Sequence, residues 1–141
     1  MKTSRNRRIL LFCCIGMLFV ASAHATEVKG VWIKNVGNWA KRASICQRAL
    51  AKRNNEIIVN EHDVFVVKDN EIIGVSATCK IKSRKDDGNF IRLLTDCPAE
   101  IGENQFVFRV ESPNKITRIF PGMPQKNTAY FRCPEASLPY N

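Results

Sequence analysis

Two cysteines placed symmetrically about one glycine constrain this chain more than any other feature. Cys79 and Cys97 stand at equal distances from Gly88, and the segment Lys85–Asn89 between them contains the Asp-Gly pair typical of a tight hairpin turn. If the hairpin is centred on Gly88, Cys79 lies directly opposite Cys97, where Cα atoms are about 4.5–5.5 Å apart and a disulfide can form. The pattern therefore predicts an antiparallel hairpin closed by a Cys79–Cys97 bridge.

The same register makes two further predictions about this hairpin. Lys80 is expected opposite Asp96, which is a favourable pair of opposite charges. Arg84 is expected opposite Arg92, which is an unfavourable pair of like charges and counts slightly against the register.

Residues 1–25 have the composition of an export signal. Four basic residues precede the apolar run 9–20, and the small residues that a signal peptidase needs follow at positions 23–25. We expect cleavage after Ala25, because the apolar run is shorter than the roughly 20 residues that span a bilayer. Cleavage discards Cys13 and Cys14. It also lowers the formal net charge from +9 to +5, since four of the 22 basic residues lie in the signal.

The remaining chain, residues 26–141, has the length of a single domain and contains four cysteines. Since cysteines of exported proteins are generally oxidised, pairing Cys79 with Cys97 leaves Cys46 with Cys133 by elimination. The chain-entropy model gives such a long-range bridge roughly 4–5 kcal/mol of stabilisation. Free buried thiols are the alternative. Zinc is disfavoured because structural sites use close pairs such as C-x2-C, and we expect no metal and no cofactor.

One helix is predicted near the front of this domain, from Asn38 to Asn54. Asn38 is a favourable N-cap, and Asn54 is a plausible stop signal. An apolar face recurs at the spacing of one side of a helix: Trp39, Ala43, Cys46 and Leu50. This face directs Cys46 inward, where it can meet Cys133.

Eight short strands are predicted around this helix, joined by turn-like segments. They are Val28–Lys34, Glu56–Asn60, Val64–Val67, Glu71–Arg84, Phe90–Cys97, Gln105–Val110, Lys115–Phe120 and Thr128–Cys133. Their hairpin connectivity predicts a mainly β fold, either an antiparallel up-and-down barrel or a compact sandwich, with one N-terminal amphipathic helix and two disulfides. The barrel is favoured because a Cys46–Cys133 bridge brings the two ends of the domain together.

The first strand contains Gly30-Val31-Trp32, which resembles the Gly-x-Trp of lipocalin-like, or calycin-like, barrels. A wider resemblance is to small exported proteins of alphaproteobacteria, which combine this start with three spaced cysteines and a closing Tyr-x-Arg-Cys. The corresponding residues here are Gly30–Trp32, Cys46, Cys79, Cys97 and Tyr130–Cys133. The resemblance implies a barrel fold and an exported protein. The predicted helix departs from the usual lipocalin opening, which leaves the barrel topology open.

Two basic surfaces are candidates for binding an acidic macromolecule. The first is the polar face of the predicted helix, where Lys41, Arg48 and Lys52 are the central residues. The second is the strand that contains Lys80, Lys82 and Arg84, whose alternation directs all three to one side. A solvated surface is the alternative for both. Nucleic acid is not expected as a partner, because no aromatic residues for base stacking alternate with these basic residues.

A stiff loop, Phe120–Pro124, is the third candidate. Its two prolines restrict the backbone and present Phe120 and Met123, so insertion into the cleft of a hydrolase would cost little conformational entropy. Small disulfide-containing barrels of the periplasm include inhibitors of secreted proteases and of lysozyme, and the resemblance in class favours such a role. The alternative is a plain hairpin turn whose Phe120 packs into the core.

These features predict a periplasmic or secreted, monomeric, non-enzymatic binding module that recognises a protein or another acidic macromolecule and is not inserted in a membrane. We find neither Gly-x-Ser-x-Gly nor His-Glu-x-x-His in the sequence. The alternative is a carrier that holds a small apolar ligand inside the barrel. A carrier needs an open cavity of a few hundred cubic ångströms. We expect a filled interior instead, because several large residues point inward: Trp32, Phe65, Phe106 and Phe108.

Overall fold

The computed structural model describes residues 27–98 and 101–135, so the predicted export signal lies outside the described residues. The elements follow one another in the order β1 (Gly30–Lys34), α1 (Trp39–Ala49), β2 (Leu50–Arg53), β3 (Glu56–Val59), β4 (Val64–Val67), β5 (Glu71–Ile73), β6 (Thr78–Asp87), β7 (Phe90–Asp96), β8 (Glu103–Ser112), β9 (Lys115–Ile119), a 3-10 turn (Pro124–Lys126) and β10 (Thr128–Arg132).

Eight of these strands close into an antiparallel barrel in the order β1-β10-β9-β8-β7-β6-β5-β4. The strands from β4 to β10 are neighbours in chain order, and β1 closes the ring between β10 and β4. Trp32 shows the closure, because it lies opposite both Arg132 of β10 and Phe65 of β4. The prediction of a mainly β, up-and-down barrel is confirmed, and the sandwich alternative is wrong.

The eight barrel strands are not the eight strands predicted from the sequence. The predicted strand at Glu56–Asn60 corresponds to β3, which pairs with β2 in a separate two-stranded sheet. The predicted strand Glu71–Arg84 is two barrel strands, β5 and β6, which are joined by a turn in which Gly74 donates to the carbonyl of Ala77. One predicted strand lies outside the barrel and another forms two barrel strands, so the barrel still has eight strands.

The helix begins where the sequence predicts but ends earlier. The side chain of Asn38 accepts a hydrogen bond from the backbone N–H of Lys41 at 2.9 Å, which confirms the N-cap. The helix stops at Ala49 because Asn54 and Asn55 both adopt left-handed φ angles, 52° and 64°, and form a tight turn between β2 and β3. Residues 50–53 therefore pair as a strand instead of extending the helix.

The helical face that packs on the barrel also begins later than predicted. Cys46 and Leu50 are buried as expected, and Ala43 is half-buried. Trp39, which was assigned to the same face, is 54% exposed. The prediction for Trp39 is wrong, since the buried residues of α1 begin only at Ile45.

Both predicted disulfides are present. Cys46 and Cys133 are bonded with their Cα atoms 5.8 Å apart, and Cys79 and Cys97 with theirs 4.1 Å apart. The first bridge ties α1 to the residue that follows β10. The second crosses from the start of β6 to the end of β7, as the hairpin symmetry requires.

The register of the β6–β7 hairpin agrees with the prediction only near the disulfide. Lys80 lies opposite Asp96 as expected, but Arg84 lies opposite Leu93, and Arg92 faces Lys85. A bulge between Ile81 and Ser83 adds one residue to β6 and shifts the pairing beyond it. The predicted Arg84–Arg92 pair is therefore wrong.

Two apolar cores share the wall formed by β1 and β4. The inner core fills the barrel and includes Trp32, while the outer core lies between the barrel wall and α1 with β2 and β3 and includes Val31 and Ile33. Because successive strand residues point to opposite faces, β1 supplies both cores at once. The Cys46–Cys133 bridge belongs to the outer core, so this side wall is covered and the two ends of the barrel remain as routes to the interior.

Candidate functional site

One end of the barrel is closed by residues 27–29. Val28 is buried in the inner core, and its carbonyl accepts a hydrogen bond from the indole N–H of Trp32 at 2.8 Å. The guanidinium of Arg132 stacks 4.4 Å from the ring of Trp32 and donates to the carbonyls of Glu27, Lys29 and Pro113. These contacts occupy this end of the barrel interior, which we call the closed end.

The opposite end, which we call the mouth, holds an open cavity of about 320 Å³. The loops around it are residues 60–63, 74–77, 98–102 and 120–127, of which positions 99 and 100 lie outside the described residues. Aromatic side chains form much of the wall: Phe65, Phe106, Phe108 and Tyr130. The expectation of a filled interior is wrong at the mouth, where Phe65, Phe106 and Phe108 line an open space instead of closing it.

Ring contacts hold the cavity wall in place. Phe65 stacks on Phe108 with centroids 5.8 Å apart, and it meets the ring of Tyr130 edge to face at 4.9 Å. Phe106 stacks on Phe108 at 6.2 Å. Rings fixed by such contacts offer a flat apolar surface without losing side-chain entropy when a ligand arrives.

Arg118 of β9 places a positive charge in this aromatic cavity. Its guanidinium carbon lies 4.4 Å from the ring centroid of Phe106 and 4.6 Å from that of Phe120. Burial lowers the pKa of Arg118 below its ordinary value, and Tyr130 opposes this effect. An arginine nonetheless stays protonated in a protein, so the side chain in the cavity remains positively charged.

Tyr130 of β10 is another polar group in the cavity, which His62, Ser76 and Asn104 also line. Burial raises the pKa of its phenol, and the charge of Arg118 acts in the opposite direction. The phenol is therefore neutral near pH 7 and keeps its O–H donor. Arg118 and Tyr130 together supply charge and hydrogen-bonding capacity to a space that is otherwise mainly apolar.

Exposed apolar side chains surround the mouth. Val75, Ile101 and Met123 lie in three different loops at this end and are 37%, 47% and 39% exposed. Among the described residues, none of the large apolar side chains with such exposure lies in a loop at the closed end, where Lys29 pairs with Asp69 at 2.6 Å. The two ends of the barrel therefore present different surfaces to solvent.

The helix residues predicted to bind an acidic partner do not form one uniform surface. Arg48 donates to the carboxylate of Glu61 at 3.0 Å, which neutralises part of its charge. Lys41 lies beside the N-cap in the first turn, and Lys52 is in β2, not in the helix. Both lysines are exposed.

The basic strand surface is also divided. The ammonium group of Lys82 lies 3.7 Å from Asp96 and 3.9 Å from Glu103. The bulge places Arg84 opposite the buried Leu93, where it pairs with Asp86 at 2.7 Å. Lys80 is exposed and lies opposite Asp96. The prediction that Lys80, Lys82 and Arg84 share one side is wrong, because the bulge reverses the alternation.

The loop at Phe120–Pro124 divides into a buried and an exposed part. Phe120 is half-buried against Arg118, which agrees with the alternative that it packs inward. Met123 stands out at the mouth with 39% of its surface exposed. The side chain of Asn127 accepts from the backbone N–H of Phe120 at 2.9 Å and fixes the base of the loop.

Sequence reasoning missed Arg118 and Tyr130 as candidate site residues. Alternation along β9 directs Ile116 and Arg118 to the same face, and Ile116 is fully buried in the inner core. A basic residue on the core face of a predicted strand is a signal that could have identified Arg118. No local pattern indicates that the register of β9 and β10 places Arg118 near Tyr130.

No protein-family model, curated protein or solved structure matches this chain. In the described part of the chain, no group of three or more His, Cys, Asp or Glu residues is placed to hold a metal ion. No helix within residues 27–98 and 101–135 is long and apolar enough to cross a membrane.

Proposed function

We propose that this protein is an exported, non-enzymatic binding protein that takes up a small apolar or amphipathic molecule in the mouth of its barrel. The observation that carries the proposal is the open cavity of about 320 Å³ with aromatic walls. Ligand pockets typically measure roughly 300–1,000 Å³ and combine an apolar lining with a few polar groups. The cavity lies at the small end of that range, so its ligand is compact.

The two disulfides support the compartment in this proposal, because such bonds persist in oxidising surroundings such as the periplasm or the outside of the cell. The export signal predicted at residues 1–25 leads to the same compartment. The resemblance to lipocalin-like barrels agrees with ligand binding at an open barrel end. The helix contributes by covering the side wall, which leaves the mouth as the route of entry.

The test is binding of N-phenyl-1-naphthylamine, a neutral aromatic probe whose fluorescence rises in apolar surroundings. We expect a saturable rise with the purified protein. Asn104 lines the cavity and Gln105, its neighbour on β8, is exposed, so Asn104→Trp fills the mouth and Gln105→Trp is its matched control. We expect Asn104→Trp to weaken probe binding about tenfold or more, which corresponds to about 1.4 kcal/mol, and Gln105→Trp to leave it unchanged.

Equal binding by the two tryptophan variants would place the probe outside the cavity and overturn the proposal. The absence of any saturable signal with the unchanged protein would count against it as well. Thermal unfolding of each variant establishes that a loss of binding reflects the blocked cavity and not loss of the fold.

Recognition of a macromolecule is a second candidate, favoured by the three exposed apolar side chains around the mouth. Val75, Ile101 and Met123 together could contact an apolar cleft of a secreted hydrolase. Inhibition assays against secreted serine proteases and lysozymes test this role. Inhibition that Met123→Asp removes and Asn104→Trp leaves intact would favour it over ligand binding.

A further inference from the structure

We propose that the mouth selects a singly charged anion, a carboxylate with a compact apolar body, and that Arg118 anchors its carboxylate. This inference rests on the proposed function and names the chemical class of its ligand. It depends on what surrounds the guanidinium of Arg118, on what the neighbouring acidic groups already bind, and on the size of the cavity.

Arg118 lacks the partners that satisfy four other arginines of the described residues. Arg48, Arg84 and Arg109 each lie within 3.0 Å of a carboxylate oxygen, and Arg132 donates to backbone carbonyls. Among the described residues, Arg118 has no carboxylate within 4.0 Å and no hydrogen-bond acceptor, and its contacts are the rings of Phe106 and Phe120.

Stacking on aromatic rings does not satisfy the hydrogen-bonding groups of a guanidinium. The five N–H donors of an arginine lie in the plane of the group and point outward from its edges, whereas ring stacking uses its faces. Partial burial weakens the hydration of this cation, and no acceptor among the described residues replaces the water that it loses. An anionic oxygen pair in the same plane would supply the missing acceptors in a bidentate geometry.

The acidic residues near the mouth already have cationic neighbours. Glu61 pairs with Arg48, Asp63 lies 3.8 Å from Lys34, and Glu103 lies 3.9 Å from Lys82. None of these three carboxylates neutralises Arg118, so its charge remains available inside the cavity. The positive charge of a single arginine matches a singly charged head group, and the neutral phenol of Tyr130 can donate to the same anion.

The volume of the cavity limits the size of the apolar part of the ligand. A cavity of about 320 Å³ walled by Phe65 and Phe108 accepts a short aromatic or branched chain and is small beside the roughly 1,000 Å³ of the largest ligand pockets. The combination of one cation and an aromatic wall predicts a clear preference for an acid over the alcohol of the same skeleton.

The experiment compares 4-phenylbutyrate with 4-phenylbutan-1-ol, which differ in the carboxylate and share their apolar body. Competition against N-phenyl-1-naphthylamine measures both affinities near pH 7, where the acid is ionised. We expect the unchanged protein to bind the acid about tenfold to a hundredfold more tightly, as hydrogen bonds to charged groups commonly give. Arg118→Met should bring the ratio of the two affinities close to one, because it removes the group that distinguishes the acid from the alcohol.

Arg53→Met controls for the loss of one positive charge, because Arg53 is exposed in the β2–β3 hairpin. We expect this variant to keep the full preference for the acid. Arg118→Lys retains the charge but lacks the planar fork, so we expect an intermediate preference. Nuclear magnetic resonance of the Arg118 side-chain N–H group provides a test without substitution, since the acid should shift this signal and the alcohol should not.

Equal affinity for acid and alcohol in the unchanged protein, or an unchanged preference in Arg118→Met, would overturn the role of Arg118. The proposed function would survive either result as long as Asn104→Trp still blocks the neutral probe. If the neutral probe binds equally well to Asn104→Trp and Gln105→Trp, the proposed function itself is contradicted, whatever the role of Arg118. The two failures are thus distinguishable.

Discussion

The two ends of the barrel each contain an arginine stacked on aromatic rings, yet the two arginines have different surroundings. At the closed end, Arg132 stacks on Trp32 and donates to three backbone carbonyls. At the mouth, Arg118 stacks on Phe106 and Phe120 beside an open cavity. The same type of contact therefore closes one end, while at the other it leaves a cation without an acceptor among the described residues.

The difference in hydrogen bonding between the two arginines shows that the same residue type can stabilise the fold at one position and be available to a ligand at another. A buried polar group that is fully hydrogen-bonded stabilises its surroundings, whereas one without acceptors costs free energy until a ligand supplies them. Arg132 belongs to the first kind, since its donors reach carbonyls of two separate segments. We propose that Arg118 is a group whose acceptors a ligand supplies. Its contribution to the free energy of unfolding without ligand can be measured.

The largest expected effect comes from removing the two arginines in parallel. Arg132→Met should lower the free energy of unfolding by about 3 kcal/mol, because it removes charged hydrogen bonds and the contact with Trp32. Arg118→Met should change that free energy by no more than about 1 kcal/mol, since it removes two ring contacts but no hydrogen bond. Urea unfolding near pH 7 without ligand measures both values. Similar losses in the two variants would remove the contrast between the ends.

A glycine at each end of the barrel allows a second comparison, with smaller expected losses of stability. Gly30 has φ +134°, and a Cβ there would lie 2.2 Å from a guanidinium nitrogen of Arg132. Gly102, at the mouth, has φ +64°, and a Cβ there would have no atom within 4 Å. We expect Gly30→Ala to cost about 2 kcal/mol, from backbone strain and displacement of Arg132, and Gly102→Ala about 1 kcal/mol from strain alone.

Thermal and urea unfolding of these two alanine variants give the comparison directly. Gly30→Ala should also weaken the stacking of Arg132 on Trp32, which tryptophan fluorescence reports. A larger loss for Gly102→Ala than for Gly30→Ala would contradict the view that the closed end is the tightly packed one.

The smallest expected effect concerns pH and the charged residues of β8 and β9 near the closed end. Hydrogen bonds from Lys115, Thr117 and Arg109 lower the pKa of Glu111 to about 2 from an ordinary value of 4.5. A carboxylate whose pKa falls on folding stabilises the protein above the unfolded pKa, and the contribution is lost as the pH falls through the folded pKa. Because these groups are largely exposed, the effect should not exceed about 1 kcal/mol.

The difference in unfolding free energy between the unchanged protein and Glu111→Gln measures this contribution. We expect it to be largest near pH 7, to shrink below pH 4.5 and to vanish near pH 2. Glu103→Gln, at the other end of β8 with its ion pair at 3.9 Å, is the control and should show a smaller difference. A difference for Glu111→Gln that grows as the pH falls would contradict the assignment.

Local spacing predicted the covalent frame of the fold correctly. The symmetry of Cys79 and Cys97 about Gly88 was sufficient because a disulfide needs only that two nearby strand positions face each other. The second bridge then followed by elimination. The details between these fixed points were less predictable, since the bulge in β6 changes the partner of Arg84 without changing the position of either cysteine.

The number of barrel strands agreed with the prediction although two assignments were wrong. Residues 50–53 continue the helical pattern of α1, but they become a strand because the Asn54-Asn55 turn allows them to pair with Glu56–Val59. Helical propensity is a weak preference that tertiary pairing can override. The turn at 74–77 was missed for a related reason, as one long strand and two short strands have the same alternation.

The candidate site was the part that sequence reasoning located least well. Inward-facing phenylalanines were read as filling the barrel, but a small difference in how rings stack decides whether space remains. The cavity lies among residues of six strands and several loops, and its volume depends on all of their positions together. The basic surfaces illustrate the reverse error, because carboxylates distant in sequence, such as Glu61 beside Arg48, partly neutralise them.

By itself, the sequence determined the cysteine pairing, the N-terminal end of the helix and the mainly β barrel, because each depends on spacing between residues close along the chain or on a simple elimination. Only the tertiary structure decided which strands enter the barrel, and that Arg118 and Tyr130 meet beside an open cavity. Those features depend on the register between separate strands and on the volume left after packing, and no local pattern encodes either quantity.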